Sequence, residues 1–554
     1  MRRGLIVGAV VACLGLPGVA VAQTGEPLAA QLQPPLPSPV VAGDWPDPDV
    51  TLIDGSYYAV ATSGGWSPTF RILRSTDLRA WSIGGSVFRR APGWAESSFW
   101  APELAELPSG GYALFYSAMP KRAWTTRADG VTVQVRGRRT AAEVTAGGRA
   151  VAAATPNVNR PWYCLGVATA PSPLGPWRDL GRPLRCTPRG TIDPTPVVDG
   201  NDLYLVYKED GNAFGKPTPI LLQRLRADGR RLLGAPRQLL RNRRGSWEAK
   251  VVEAPSLVQR DGWWQMLYSG ALCCSRDCAY AVGAARARTL AGPWRRYPGN
   301  PILRSGNGWR CPGHVSILGD HVAFHAYRSG TGILAGRQLH VAPLAWRADG
   351  WPAIGDGRPL PPAAGALPAS FDDVFAGPAL TADWEWPIDP TPSVRVGGGL
   401  RLTAALKAGR VLDAATLARR LGTDRYTATV VVDRRSLRGK EIAGIAVVRG
   451  GPFAIRGQAA GIGIVGRSPT VWWRGRSDTG AVGFDQKGLG RFLHLRLVVD
   501  GRRIAFSFSS DGVVWRGAPG IRRSPVEETA RVALTVGGQR AASARFTRAT
   551  LVER

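Results

Sequence analysis

The chain has 554 residues, 20% of them charged and 44% hydrophobic, enough to bury a sizeable core spread over two or three domains. Its formal net charge is +30, but only seven of the 71 basic residues are lysine and the arginines are scattered along the chain. No nucleic-acid motif of recognised spacing accompanies the densest stretches, residues 136–139 and 224–244, so nucleic acid is excluded as a partner, while attraction to acidic cell-wall polysaccharide stays compatible with the charge.

Residues 1–22 have the layout of a secretory signal peptide. Arg2 and Arg3 precede a short apolar run, and Ala20-Val21-Ala22 forms a small-x-small cleavage site before Gln23. The run is too short to span a bilayer comfortably, and no other stretch reads as a membrane span. Cys13 follows Val10-Val11-Ala12, a loose lipoprotein box; secretion or a periplasmic location is preferred to a lipid anchor there. Six cysteines remain: Cys164, Cys186, Cys273, Cys274, Cys278 and Cys311. An even count in an exported chain predicts disulfides with open connectivity. Cys164 with Cys186 is expected as one bridge, and the Cys273-Cys274 to Cys278 run with Cys311 could hold two more. A zinc site fits less well, since neither the spacing nor a histidine pair matches the usual finger patterns.

Residues 23–40, rich in Pro, Ala and Gln, are expected to be a flexible segment, and residues 358–370 an interdomain linker. Between them, five segments share one plan: a polar residue, a short apolar strand, a Gly/Asp/Asn turn and an aromatic or β-branched strand. They open at Asp47, Glu103, Asp193, Glu253 and His314. A second element, strand, turn and tryptophan, recurs and ends at Trp81, Trp177 and Trp294. Repeats of this size built from short strands predict an all-β chain with a five-bladed β-propeller over residues 41–357. The innermost strand of each blade would line the central channel, so the five opening residues are expected at corresponding positions aimed at one axis. Clustered carboxylates in a concave site shift one another's pKa values, as acid–base chemistry requires. Residues 371–554 show alternating strands with turns at Asp500-Gly501 and Asp511-Gly512 and no blade-like repeat, which predicts an antiparallel β-sandwich.

Five motifs carry a family likeness: Gly43-Asp44-Trp45-Pro46-Asp47-Pro48-Asp49, Phe99-Trp100-Ala101-Pro102-Glu103-Leu104, Thr191-Ile192-Asp193-Pro194, Val252-Glu253-Ala254-Pro255-Ser256 and Trp309-Arg310-Cys311-Pro312-Gly313-His314. In this order they resemble glycoside hydrolase family 43, the arabinanase, β-xylosidase and α-L-arabinofuranosidase family. Residues 371–554 look like the concanavalin-like (jelly-roll) sandwich of many members. The resemblance implies a secreted enzyme that cleaves arabinofuranosyl or xylosyl linkages of plant cell-wall glycans by inversion. Asp47 would be the general base, Glu253 the general acid, and Asp193 the residue that orients the acid and raises its pKa. Inversion implies carboxyls about 6.5–9.5 Å apart. Arg337 matches the family's arginine near the acid, expected to bond sugar hydroxyls or hold Glu253. Trp66 and Trp100 are candidate sugar platforms. His314 matches a histidine near a central calcium or water site; calcium prefers oxygen ligands, so a water-mediated or substrate-orienting role is expected and no cofactor is required. Glu103 has no catalytic task in the family motif and is expected in a structural ion pair. Asp49 stands where the family often has serine, Val315 where it often has glycine, and the insertion around residues 121–160 could wall one side of the pocket. Two other readings stay open: a non-catalytic carbohydrate-binding propeller, and a retaining fructosidase of the levansucrase or invertase type, whose Asn-Asp-Pro-Asn motif is absent here.

Overall fold

The computed structural model describes residues 35–554 apart from Ala128, 135–162, Arg276, 331–333, 364–369, 451–456, Arg467, Ser477, 485–487, Arg522 and Glu528. The leader, Cys13, most of the 23–40 segment, residues 135–160 of the insertion and half of the linker therefore lie outside the described residues. Five consecutive antiparallel four-stranded meanders follow one another. Blade one is Asp49–Ile53, Ser56–Val60, Thr69–Ser75 and Ser82–Phe88. Blade two is Ala95–Glu106, Tyr112–Pro120, Cys164–Ala170 and Arg178–Asp179, with Arg185–Cys186 paired to its third strand. Blade three is Thr191–Asp199, Asp202–Glu209, Pro219–Leu225 and Leu232–Arg241, and blade four is Val252–Arg260, Trp263–Gly270, Ala281–Ala287 and Arg295–Arg296. Blade five is Trp309–Leu318, His321–Arg328, Gln338–Trp346 and Pro352–Ile354; the chain ahead of blade one bridges to it at Val41 and Leu339, which closes the ring.

The local chemistry explains the strands. Asp54-Gly55 and Asp261-Gly262 each place both residues at positive φ, as two-residue hairpins between right-twisted strands need. The second strands are buried on both faces, so Leu203, Leu205 and Tyr207 fill one gap between blades and Val206 the next. Cys164 bonds to Cys186 inside blade two, Cys273 to Cys274, and Cys278 to Cys311, which leaves no described cysteine free for zinc.

The second domain stacks two antiparallel sheets. The larger runs in the order Ser393–Val396, Leu400–Thr403, Ser543–Glu553, Arg425–Asp433, Phe492–Asp500, Arg503–Ser509 and Arg516–Ile521, with Phe371–Asp373 also on Ser543–Glu553. The smaller runs Ala415–Arg420, Ala530–Gly537, Ile442–Arg449, Ala459–Val465, Ser468–Arg474 and Thr479–Gly483. Leu417, Ile445, Leu495 and Phe546 meet in the core between them. Trp386–Pro387 leaves the sandwich to pair with Trp66–Ser67 of blade one. Behind that pairing Glu385, fully buried, takes three guanidinium groups: Arg71 Nη1 at 3.3 Å, Arg420 Nε at 2.8 Å and Arg531 Nε at 2.6 Å. Arg420 also donates to the carbonyl of Asp44 at 2.5 Å, so both domains share one ionic seam. Among the described residues no helix is long and apolar enough to cross a membrane.

Candidate active site

All five innermost strands begin with the same distortion. Asp47, Ala101, Asp193, Ala254 and His314 have φ of 51°, 42°, 54°, 50° and 53°. In blades two to five the ladder to the second strand slips around this residue. Such bulges re-aim side chains that would otherwise follow the pleat, and a non-glycine residue in the left-handed region costs about 1–3 kcal/mol unless its surroundings hold it there. Each of these N–H groups is caught by the preceding blade: Ala101 by Thr62 Oγ1 at 2.8 Å, Asp193 by Ser117 Oγ at 3.2 Å, His314 by Ser269 Oγ at 2.8 Å and Asp47 by His325 Nδ1 at 3.0 Å. Ala254 alone is caught by a carboxylate, Asp193 Oδ2 at 3.0 Å.

This register corrects one expectation. Glu103 does not correspond to Asp47, Asp193 and His314; Ala101 does. Glu103 belongs two residues further along, with Asp49, Thr195, Ser256 and Ser316. Asp49 accepts from Ser316 Oγ at 2.7 Å and Leu104 N–H at 2.9 Å, Ser256 Oγ accepts from Ile317 N–H at 3.0 Å, and Thr195 donates to Pro255 O at 2.6 Å. Nor does Glu103 form the expected ion pair. It lies beside Asp49 and near Thr195 Oγ1 at 3.4 Å, and burial together with the charges of Asp49 and Asp193 pushes its pKa well up. Glu253 sits one residue ahead of its blade's bulge.

Asp47, Asp193 and Glu253 line one cavity of about 360 Å³ with Trp100, His314 and Arg337, a volume suited to one small sugar. Burial alone would raise the Asp47 pKa, but Arg337 Nη1 at 2.6 Å, the two imidazoles and Thr62 Oγ1 at 2.7 Å outweigh it and hold the carboxyl well below the usual range. His314 Nδ1 and His325 Nδ1 lie 3.6 and 3.5 Å from Asp47 Oδ1. These are not ion pairs near neutral pH, because burial lowers both imidazole pKa values and His325 Nδ1 already accepts the Asp47 N–H. Asp193 goes the other way: burial, then the charge of Glu253, push it well above the ordinary aspartate range.

Lys208 is the residue that sequence reasoning missed. Its buried Nζ lies 2.6 Å from Glu253 Oε2 and 3.0 Å from Asp210 Oδ1. Burial would lower its pKa; the three neighbouring carboxylates reverse that and keep it charged. A signal existed in the repeat. Tyr116-Ser117, Tyr207-Lys208 and Tyr268-Ser269 are equivalent pairs on second strands, and only blade three has a cation where the others have a hydroxyl. Tyr163, 4.1 Å between ring centroids from Trp100, was missed too.

Two further expectations are corrected. Trp66 is no sugar platform: it is 0% exposed, packed between Ala418, Ile442 and Trp472 of the sandwich with Arg531 stacked on it. Arg337 holds Asp47, not Glu253. Its main chain is fixed by Asp44 Oδ1, which accepts the Arg337 N–H at 3.1 Å, and by Trp45, whose N–H donates to the Arg337 carbonyl at 2.7 Å. The surroundings of His314 do not fit calcium. They supply one carboxylate already engaged by a guanidinium, where calcium takes six to eight oxygens, and among the described residues no group of three or more His, Cys, Asp or Glu could hold a metal.

The family model for glycosyl hydrolases family 43 matches residues 36–352. The extracellular endo-α-(1→5)-L-arabinanase 1 of Bacillus subtilis is 24% identical over 55% of this chain and 86% of its own length. A xylan 1,3-β-xylosidase of a Vibrio species is 23% identical over 58% of this chain and 57% of its own. Among solved structures, the family-43 protein BlXynB of Bacillus licheniformis superposes with a TM-score of 0.72 at 19% identity, covering 94% of this chain and all of that one. The xylan β-1,4-xylosidase of Bacillus halodurans does so equally well at 18% identity.

Proposed function

This chain belongs to glycosyl hydrolases family 43 and is a glycosidase, and on that premise we propose that it removes terminal arabinofuranosyl or xylosyl residues from plant cell-wall glycans outside the cytoplasm, with inversion. The observation that carries the reading is the contrast within one cavity: the Asp47 carboxyl is held well below the ordinary aspartate range, while that of Asp193, beside Glu253, is pushed well above it. Two carboxyl sites with opposed proton affinities are what an acid and a base at the same pH require. Glu253 donates to the departing glycosidic oxygen, Asp47 takes a proton from the attacking water, and Asp193, beside Glu253, is the orienting carboxyl. Lys208 and Arg337 each fix one of these carboxylates. The small cavity supports action on a terminal sugar, and three disulfides support an exported setting.

The test is a panel of aryl α-L-arabinofuranoside, β-D-xyloside and galactoside substrates beside linear and branched arabinan and xylan, with proton NMR of the first anomer released. Turnover of a pentoside with inverted product is expected; a first product keeping the substrate's configuration would contradict inversion. The pH profile gives a second check. Asp47 stays ionised below the ordinary aspartate range, so the alkaline limb of kcat/KM reports loss of the general acid's proton. Asp193→Asn removes the repulsion and is expected to move that limb toward acid by about one unit or more. An unmoved limb would remove Asp193 from the role.

A further inference from the structure

The bond between Cys273 and Cys274 joins adjacent residues. Disulfides stabilise a fold chiefly by closing long loops of the unfolded chain, and a bond between neighbours closes almost none. Cys164–Cys186 and Cys278–Cys311, separated by 22 and 33 residues, are of the stapling kind; this one is not. Its reason is to be sought in where it lies, and both half-cystines line the cavity that holds Asp47 and Glu253.

The surrounding chain is built to hold that wall still. The turn that carries it leaves the strand Trp263–Gly270, whose Ser269 pairs with Glu253. Ala271 donates its N–H to Glu248 O at 3.1 Å and Val251 O at 3.2 Å, Ala279 donates to Leu272 O at 3.0 Å, and Cys278 is bonded to Cys311 on the strand of His314. Cys273 packs against the cluster of Tyr280, Cys311 and Tyr327. Next to the bond stands Leu272, which is 55% exposed and lines the cavity. An exposed leucine and a half-buried disulfide side by side make an apolar, polarisable surface in the cavity that holds the carboxylates. The other apolar surface of the cavity, Trp100 and Tyr163, comes from blade two, with blade three and its Lys208 between them.

We propose that the Cys273–Cys274 disulfide with Leu272 is a specificity-determining contact surface, on which the C–H face of the terminal pentosyl residue rests. The inference builds on the hydrolase reading above and adds the residues that select the sugar. A small ring closed through the shared peptide leaves that surface little freedom to lose on binding, so contact is gained at low entropic cost.

The experiment compares Cys273→Ser/Cys274→Ser, Cys273→Ala/Cys274→Val and Leu272→Ala with the wild type, using 4-nitrophenyl arabinofuranoside and xyloside for kinetics and free arabinose and xylose for calorimetric binding. The serine pair and Leu272→Ala are expected to raise KM about tenfold, the scale of one lost apolar contact in a sugar-sized pocket, with kcat changed less than about threefold. The Ala/Val pair, which removes the bond but keeps an apolar wall, is expected to stay within about threefold of the wild-type KM. Unchanged KM and monosaccharide affinity in the serine pair would overturn the proposal. So would equal damage in the serine and Ala/Val pairs, which would assign the bond to bracing the loop. If the wild type cleaves neither aryl pentoside, the hydrolase reading fails, and calorimetry still decides this one: weaker monosaccharide binding by the serine pair upholds it, and equal or absent binding by both proteins overturns it.

Discussion

Glu253→Gln is expected to lower kcat/KM on alkyl and oligosaccharide pentosides by about 10²–10⁴-fold, the usual contribution of a positioned general acid. The amide keeps the shape of the carboxyl and can still accept the hydrogen bond that Lys208 Nζ gives Glu253 Oε2 at 2.6 Å, while Lys208 keeps its ion pair with Asp210. The fold is therefore expected to persist, and the loss to be chemical. The leaving group separates the two. A dinitrophenolate departs without a proton, so dinitrophenyl pentosides are expected to be hydrolysed by the variant nearly as fast as by the wild type. Equal loss on both classes of substrate would remove Glu253 from the acid role.

Glu385→Gln is expected to destabilise the protein by about 3–5 kcal/mol, read from the midpoint of chemical denaturation. Three guanidinium groups converge on this fully buried carboxylate, with Asp44 3.9 Å from Arg531 and Asp383 also acting on Arg71. Taking the charge from Glu385 leaves buried cations facing one another, the costly half of a broken ion pair. Burial would raise the Glu385 pKa; the arginines overcome that and hold it well below the usual range. The sign follows. A carboxyl more acidic in the folded state contributes fully above its unfolded pKa, about 4.3, and loses that contribution only as pH falls toward the lowered value. The variant's deficit should thus be flat through neutral pH and shrink in strong acid. Because Asp44 also holds the Arg337 N–H, a fall in kcat/KM is expected to accompany the loss of stability. An unchanged midpoint would mean that the seam relaxes around the amide.

The propeller was legible because each blade repeats its punctuation: Asp54-Gly55 and Asp261-Gly262 fix hairpins, and Trp81, Trp177 and Trp294 stand immediately before fourth strands. The family resemblance was equally plain, since its five motifs each open a blade. Sandwich strands with one wet face, such as Arg503–Ser509, were legible by alternation. Ile442–Arg449 and Ala459–Val465 were not: buried along nearly their whole length, they carry glycine and alanine where alternation would show. Within the site, Asp47, Asp193 and Glu253 announced themselves through the proline-bearing motifs. Glu103 was misassigned because it stands two residues beyond the bulge residue Ala101, and spacing alone does not reveal where the bulge falls. Trp66 and Arg337 were misread because their partners, Trp472 and Arg531 for one and Asp47 for the other, lie hundreds of residues away in sequence.

Lys208 has one more implication. A ring of five near-equivalent blades offers an entering sugar five near-equivalent rotations about the axis. Thr62, Ser117, Ser269 and His325 perpetuate that equivalence, each capping the next blade's N–H. The second strand of blade three breaks it by presenting an ammonium, and the cap for Ala254 comes from Asp193 of the first strand of that blade instead. Among these five cap positions blade three alone carries an ammonium, and it stands against the carboxylates of Glu253 and Asp210.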